Sequence, residues 1–148
     1  MRRISNDCGV LLDTNIISEL NKLSPNRKVI DNIYIHQKVS GISSIVWAES
    51  LYGMKRLPAS KRKESLEDFY YDTILDTFTF IPFDEHAASV FSDIKSRLDR
   101  TGKPAPLMDM QIAATAIANN AILVTRNIED FDGICEVSSL MVENWFES

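Results

Sequence analysis

Short apolar runs alternate along the chain with longer segments in which apolar side chains recur every three or four residues. The runs at Val10–Leu12, residues 39–42, Ile122–Val124 and residues 140–142 predict short strands. A fifth strand is predicted over residues 78–83, where large apolar side chains occupy every second position. The segments between these strands have the periodicity of helices.

Most of these helices have recognisable signals at their ends. Three helices have candidate cap residues. The helix over residues 45–56 follows Ser43 or Ser44, and the helix over residues 61–74 follows Ser60. The helix over residues 85–101 lies between Asp84 and Gly102. Further helices are predicted at residues 16–20, 29–34 and 107–120. Alternating helices and short apolar strands indicate an α/β fold with a central, mostly parallel sheet flanked by helices.

Length and composition narrow the class of protein. A chain of 148 residues is predicted to form a single domain, and 45% hydrophobic with 25% charged residues is ordinary for a soluble protein. We expect a cytoplasmic protein with no membrane association, because we find neither a secretory signal nor a long apolar stretch. Cys8 and Cys135 lack metal-binding spacing; free thiols are the favoured interpretation, with a disulfide left open.

The net charge of −5 is unusual for a protein that binds nucleic acid. The basic residues are unevenly distributed, however, and more than half of the 16 fall in two stretches, which are Lys55, Arg56, Lys61, Arg62 and Lys63, and Lys95, Arg97, Arg100 and Lys103. Such stretches could hold the edges of an RNA around an acidic pocket. Solvated helix faces are the simpler interpretation of either stretch taken alone.

Three separated acids are predicted to meet at one edge of the sheet. Asp13 follows the first strand, Glu49 lies in the first turns of the helix after the second strand, and Asp109 lies in the first turn of the helix before the fourth. Ligands of open parallel sheets bind at the carboxyl ends of the strands, and helices that follow strands begin there. Three carboxylates without a basic partner repel one another unless their pKa values rise or a cation neutralises them. Mg²⁺, or alternatively Mn²⁺, suits such oxygen ligands.

Each acid also has a simpler interpretation. Asp13 could cap the next helix, Glu49 could be a solvated charge, and Asp109 could be a first-turn acid stabilised by the helix dipole. Asp109 shares a helix face with apolar residues, however, so we expect its carboxylate to point inward. The hydroxyl residues beside the acids could orient carboxylates or water, or be purely structural; they are Thr14, Ser44 and Thr125.

The residues around the acids form four pieces in a fixed order. These are Leu-Leu-Asp-Thr-Asn at residues 11–15, Ile-Ser-Ser at 42–44 with Glu49 five residues on, Asp-Met-Gln-Ile-Ala-Ala-Thr-Ala at 109–116, and Leu-Val-Thr-Arg-Asn at 123–127 followed by Phe131. Their order resembles that of the PIN-domain family, and within it the VapC and FitB toxins of bacterial type II toxin–antitoxin systems. The resemblance covers residues 10–145 of the single domain.

The resemblance implies a PIN-like three-layer sandwich and a Mg²⁺-dependent endoribonuclease that cuts structured RNA such as tRNA. Asp13, Glu49 and Asp109 match the family's catalytic and metal-binding acids. Asn127 stands where the family usually has a fourth acid, so either Asn127 or Asp130 is expected to complete the site. The family also implies a homodimer and a small cognate antitoxin that binds the operator DNA.

Two other classes of protein remain as alternatives. A PIN-fold protein with a vestigial site could bind RNA or another protein without catalysis. A metal-dependent phosphatase of the haloacid-dehalogenase type also places an aspartate after its first strand, but it needs a second aspartate where Asn15 stands. The double acid, phosphoaccepting aspartate and lysine pattern of a receiver-type signalling domain is absent from the sequence.

Overall fold

The computed structural model describes residues 9–147. Its centre is a sheet of parallel strands. Within that range the strands are β1 (Val10–Leu12), β2 (Ser40–Ser43), β3 (Thr79–Ile81), β4 (Ile122–Val124) and β5 (Val142–Glu143). Their order in space is β3-β2-β1-β4-β5, and every neighbouring pair is parallel. The predicted α/β class and parallel sheet are therefore confirmed.

Helices flank this sheet and connect its strands. They are α1 (Thr14–Ile17), α2 (Arg27–His36), α3 (Ser44–Lys55), α4 (Lys61–Asp68), α5 (Leu75–Thr77), α6 (Glu85–Thr101), α7 (Leu107–Ala118) and α8 (Asp132–Val137). Turns of 3₁₀ helix occupy Ser18–Asn21, Gln37–Val39 and Ile128–Phe131, and a π-helical turn at Phe69–Ile74 joins α4 to α5. None of the helices between residues 9 and 147 has the length and apolar character needed to span a membrane.

Three helices begin at cap residues that the sequence predicted. Ser43, Ser60 and Asp84 each accept a hydrogen bond from the backbone N–H three residues on, at 3.1, 3.1 and 3.0 Å. Ser43, rather than Ser44, is thus the cap of α3. Gly102 ends α6 in the left-handed conformation, with φ of 71°, which costs glycine little.

The core lies on both faces of the sheet, as expected for strands covered by helices on each side. β1 is buried along its whole length. α7 approaches the sheet with small side chains, and Ala113, Ala114 and Ala116 have no exposed surface. Because this helix carries Asp109 in its first turn, the packing of its alanines also fixes the height of that carboxylate above the sheet.

Four elements differ from the sequence-based predictions. The first helix is a single α-helical turn followed by a 3₁₀ turn, and the long helix after Ser60 is interrupted by the π-helical turn. The last strand begins at Val142, two residues later than predicted, and α8 was not predicted. Tertiary packing decides these details, since Tyr70 and Ile74 of the π-helical turn are both buried in the core.

The structure describes one of the two cysteines. Cys135 in α8 is a half-buried free thiol, and Cys8 lies outside the described residues.

Candidate active site

The candidate site lies where the strand order of the sheet reverses. β2 and β4 are the two neighbours of β1, and such a reversal is where open parallel sheets bind ligands. Asp13 directly follows β1, and Thr125 directly follows β4. The backbone N–H of Asp13 donates to Val124 O at 2.9 Å, so the ladder between these strands continues up to the site.

The Asp13 carboxylate is buried and held from two sides. Its Oδ1 accepts a hydrogen bond from the Thr14 N–H at 2.8 Å, and its Oδ2 accepts one from the Thr125 hydroxyl, also at 2.8 Å. Burial raises the pKa of Asp13, while these hydrogen bonds oppose the rise. Asp13 is also the N-cap of α1, so its capping role and its place in the site coexist.

Glu49 and Asp109 approach Asp13 from two different helices. Both carboxylates are half-buried, on α3 and in the first turn of α7. Burial raises the pKa of Glu49, and the charges of Asp13 and Asp109 raise it further. Burial, followed by the charges of Asp13 and Asp130, raises the pKa of Asp109 to about 6. The structure thus brings together three acids that are far apart in sequence.

This acidic cluster is not paired with basic side chains of the described residues. Within residues 9–147, no ion pair joins Asp13, Glu49 or Asp109 to a lysine or arginine. Nor do three acidic, histidine or cysteine side chains of that range form a ready-made metal cage. Carboxylate oxygens are nevertheless the donors that hard divalent cations prefer, so the residues present fit such an ion in charge and in chemistry.

The two candidates for a fourth ligand differ in what they contribute. Asp130 lies in the 3₁₀ turn after β4, and its charge raises the pKa of both Asp13 and Asp109. Asn127 donates its backbone N–H to the Thr125 hydroxyl oxygen at 3.2 Å. Of these two side chains, the carboxylate of Asp130 is therefore the one whose charge reaches the other acids.

The three hydroxyl residues have different partners. Both the backbone N–H and the side chain of Thr14 hydrogen-bond to Asp13, and the Thr125 hydroxyl does so from β4. Ser44 instead accepts a hydrogen bond from the Phe83 N–H at 3.2 Å, which ties the start of α3 to the loop after β3. Thr14 and Thr125 thus contact an acid of the site, whereas the hydrogen bond of Ser44 joins two elements of the fold.

Asn15 is a site residue that the sequence reasoning did not select. Its Nδ2 donates to the Thr125 hydroxyl oxygen at 3.2 Å, and its Oδ1 accepts from the Arg126 N–H at 3.0 Å. In the sequence it ends the Leu-Leu-Asp-Thr-Asn motif and argues against a phosphatase, but neither observation gave it a role in the site. Its contact with the β4 end is a property of the tertiary fold.

The two basic stretches have unequal surroundings. In the second, Lys95 pairs with Asp99 at 3.7 Å, Lys103 pairs with Glu136 at 3.6 Å, and Arg97 donates to a backbone carbonyl at 2.9 Å. The first stretch makes no ion pair with a carboxylate of the described residues. It begins at the last residue of α3, roughly 16 Å along the helix from the sheet edge where α3 starts.

Comparisons with known proteins identify the family of this chain. The PIN domain family model matches residues 10–137. The chain is 32% identical over 126 residues to the VapC ribonuclease Y4jK of Sinorhizobium fredii, covering 83% of this chain and 90% of that protein. It is 33% identical over 127 residues to Toxin FitB of Neisseria gonorrhoeae, covering 82% and 90%.

Solved structures resemble the whole fold. The crystal structure of FitAcB from Neisseria gonorrhoeae superposes with a TM-score of 0.80 at 30% identity, covering 94% of this chain and 99% of that chain. The structure of VapBC2 from Rickettsia felis, bound to a DNA fragment from its promoter, gives a TM-score of 0.76 at 30% identity, covering 92% and 98%. The chain therefore belongs to the PIN-domain family, in its group of VapC- and FitB-like toxins.

Proposed function

We propose that this protein is the toxin of a type II toxin–antitoxin system and a Mg²⁺-dependent endoribonuclease that hydrolyses phosphodiester bonds in RNA. The observation that carries the proposal is the convergence of Asp13, Glu49 and Asp109 at the sheet edge, where no lysine or arginine of residues 9–147 forms an ion pair with them. Relatives of the chain named as VapC ribonucleases support the same activity.

In this proposal the acids hold a divalent cation, with Mg²⁺ as the expected ion and Mn²⁺ as a substitute. Asp13 and Asp109 would hold it directly, and Glu49 would do so directly or through water. When bound, the ion supplies positive charge that lowers the pKa of water and neutralises the phosphate. Asp109 or Glu49 accepts the proton of the attacking water, a role suited to a carboxylate with a raised pKa.

We assign the fourth ligand position to Asp130 rather than to Asn127. Two observations support the assignment: the charge of Asp130 reaches both Asp13 and Asp109, and a carboxylate neutralises a divalent cation better than an amide does. Asn127 then serves the site through its backbone N–H, which donates to Thr125.

The relatives support a substrate class and a type of partner for this chain. A relative from Shigella flexneri, 28% identical, is named tRNA(fMet)-specific endonuclease VapC, which supports structured RNA as the substrate here. The structures of FitAB and VapBC2 contain DNA fragments, which supports a cognate antitoxin that also binds operator DNA. We propose that this chain acts in the cytoplasm, is held inactive by such an antitoxin, and forms a homodimer.

Cleavage of total RNA with and without EDTA tests the activity directly. The wild-type protein should cleave RNA in Mg²⁺ and lose that activity in EDTA, while Asp13→Asn should be inactive in both. Asp31→Asn, which changes an exposed acid of α2, is the matched control and should cleave like the wild type. Unchanged cleavage by Asp13→Asn in Mg²⁺ would contradict the assignment, and a flat Mn²⁺ titration of the wild type would favour a non-catalytic binding module.

A further inference from the structure

The side-chain amide of Asn15 lies between two partners that fix its orientation. The oxygen and nitrogen of an asparagine amide look alike in most structures, so their assignment depends on the neighbours. The backbone N–H of Arg126 can only donate, and it lies 3.0 Å from Oδ1 of Asn15. The nitrogen Nδ2 must therefore be the atom that faces the Thr125 hydroxyl oxygen, at 3.2 Å.

This orientation determines where the proton of Thr125 points. A hydroxyl oxygen has two lone pairs and one proton. Asn15 Nδ2 and the Asn127 N–H both donate to the Thr125 oxygen, each at 3.2 Å, so both lone pairs are used. The remaining partner is Asp13 Oδ2, at 2.8 Å, which must accept the hydroxyl proton. Thr125 has no exposed surface, so bulk water does not compete for that proton.

We infer that Asn15 is a positioning residue of the active site, which acts through the Thr125 hydroxyl to hold a hydrogen-bond donor on Asp13 Oδ2. Asp13 then has a fixed donor on each oxygen, Thr14 on Oδ1 and Thr125 on Oδ2. Two such donors fix the plane of the carboxylate, as outer hydrogen bonds orient metal-binding side chains in general. The consequences for RNA cleavage rest on the proposed function, whereas the hydrogen-bond network does not.

A purely structural role for Asn15 makes a different prediction. In that case the residue would only tie the loop after β4 to the start of α1, and its loss would lower stability alone. Asn26 provides the matched control, because its Oδ1 accepts from the Val29 N–H at 3.1 Å and caps α2. Asn26→Ala should lower the melting temperature without changing the active site.

The experiment compares Asn15→Ala, Thr125→Val, their double variant and Asn26→Ala. Titration with Mn²⁺ alone gives the metal affinity, and cleavage of an RNA oligonucleotide gives kcat and KM. We expect Asn15→Ala and Thr125→Val each to weaken Mn²⁺ binding and lower kcat by about ten- to hundredfold, with KM almost unchanged. Because Asn15 acts through Thr125, the double variant should be no more than about threefold worse than Thr125→Val.

Two results would overturn the inference. One is an Asn15→Ala protein that is destabilised like Asn26→Ala but keeps wild-type Mn²⁺ affinity and kcat. The other is a double variant in which the two losses multiply. If Asn15→Ala does not fold, Asn15→Asp decides, since it keeps an oxygen for the Arg126 N–H but has no amide donor. The same loss of kcat is expected for it, and wild-type values would again overturn the inference.

Failure of the proposed function can be distinguished from failure of this inference. A wild-type protein that neither binds Mn²⁺ nor cleaves RNA contradicts the proposed function. In that case, urea denaturation of the same variants without metal tests the hydrogen-bond network. If the network holds, Asn15→Ala should lower the folding equilibrium constant clearly less in the Thr125→Val background than alone. Equal losses in both backgrounds would overturn it.

Discussion

The Thr125 hydroxyl donates a hydrogen bond to Asp13 Oδ2 at 2.8 Å across 112 positions of sequence. This bond joins the ends of β1 and β4, which are adjacent in the sheet although most of the chain lies between them. It also supplies a hydrogen-bond donor to a buried carboxylate whose pKa is raised by burial and by the charge of Asp130. The fold and the chemistry of the site thus depend on the same strand pairing.

The raised pKa of Asp109 predicts that this acid destabilises the metal-free protein at neutral pH. Its pKa is 3.8 in the unfolded chain and about 6 in the folded protein, so the folded state binds the proton more tightly. Stability contributed by the protonated form is present below the lower value and is lost as the pH rises through about 6.

Asp109→Asn should therefore be more stable than the wild type at pH 7.5 by roughly 1 kcal/mol, after allowing for solvent screening of a half-exposed group. The difference should shrink at pH 4, where the wild-type carboxyl is protonated in the folded state. Urea denaturation in EDTA at both pH values measures the two differences. An advantage of equal size at both pH values would contradict the assigned cause.

Divalent cations should stabilise the folded protein through the same acids. A ligand that binds only the folded state at about 100 times its Kd adds approximately 2.7 kcal/mol to the free energy of unfolding. Saturating Mn²⁺ should raise the melting temperature of the wild type and of Asp31→Asn, but have little effect on Asp13→Asn. Equal shifts in all three proteins would place the bound ion elsewhere.

Asp130 and Asn127 should differ in their effect on metal affinity. Asp130→Asn removes a charge that reaches Asp13 and Asp109, so we expect Mn²⁺ affinity to fall by about tenfold. Asn127→Ala keeps the backbone N–H that donates to Thr125, so its Mn²⁺ affinity should stay near that of the wild type. Calorimetric titration compares the two variants, and the reverse ranking would transfer the fourth position to Asn127.

Enlarging the buried face of α7 should affect both stability and activity. Ala113 has no exposed surface and lies one turn after Asp109, so Ala113→Leu must push the helix outward. We expect a loss of about 1–3 kcal/mol in the free energy of unfolding, together with a lower kcat because Asp109 moves with the helix. Ala88→Leu, on an exposed position of α6, is the control. Destabilisation without any change in kcat would show that Asp109 tolerates the displacement.

The sequence itself determined the strands, most helix caps and the identity of the acids. β1 and β4 occupy the predicted residues, because short apolar runs bounded by polar residues are a local signal. Ser60, Asp84 and Gly102 begin or end their helices as predicted, since caps depend on one residue and the adjacent backbone. Asp13, Glu49 and Asp109 were selected from their places relative to these elements and from the family resemblance.

The tertiary structure decided what the local pattern does not contain. The π-helical turn at Phe69–Ile74 follows from packing against the core, and the late start of β5 follows from its pairing with β4. The hydrogen bonds from Asn15 to Thr125 and from Thr125 to Asp13 join residues more than a hundred positions apart. Local periodicity identifies which residues face inward. Only the assembled sheet determines which distant side chains those residues meet, because that depends on strand order.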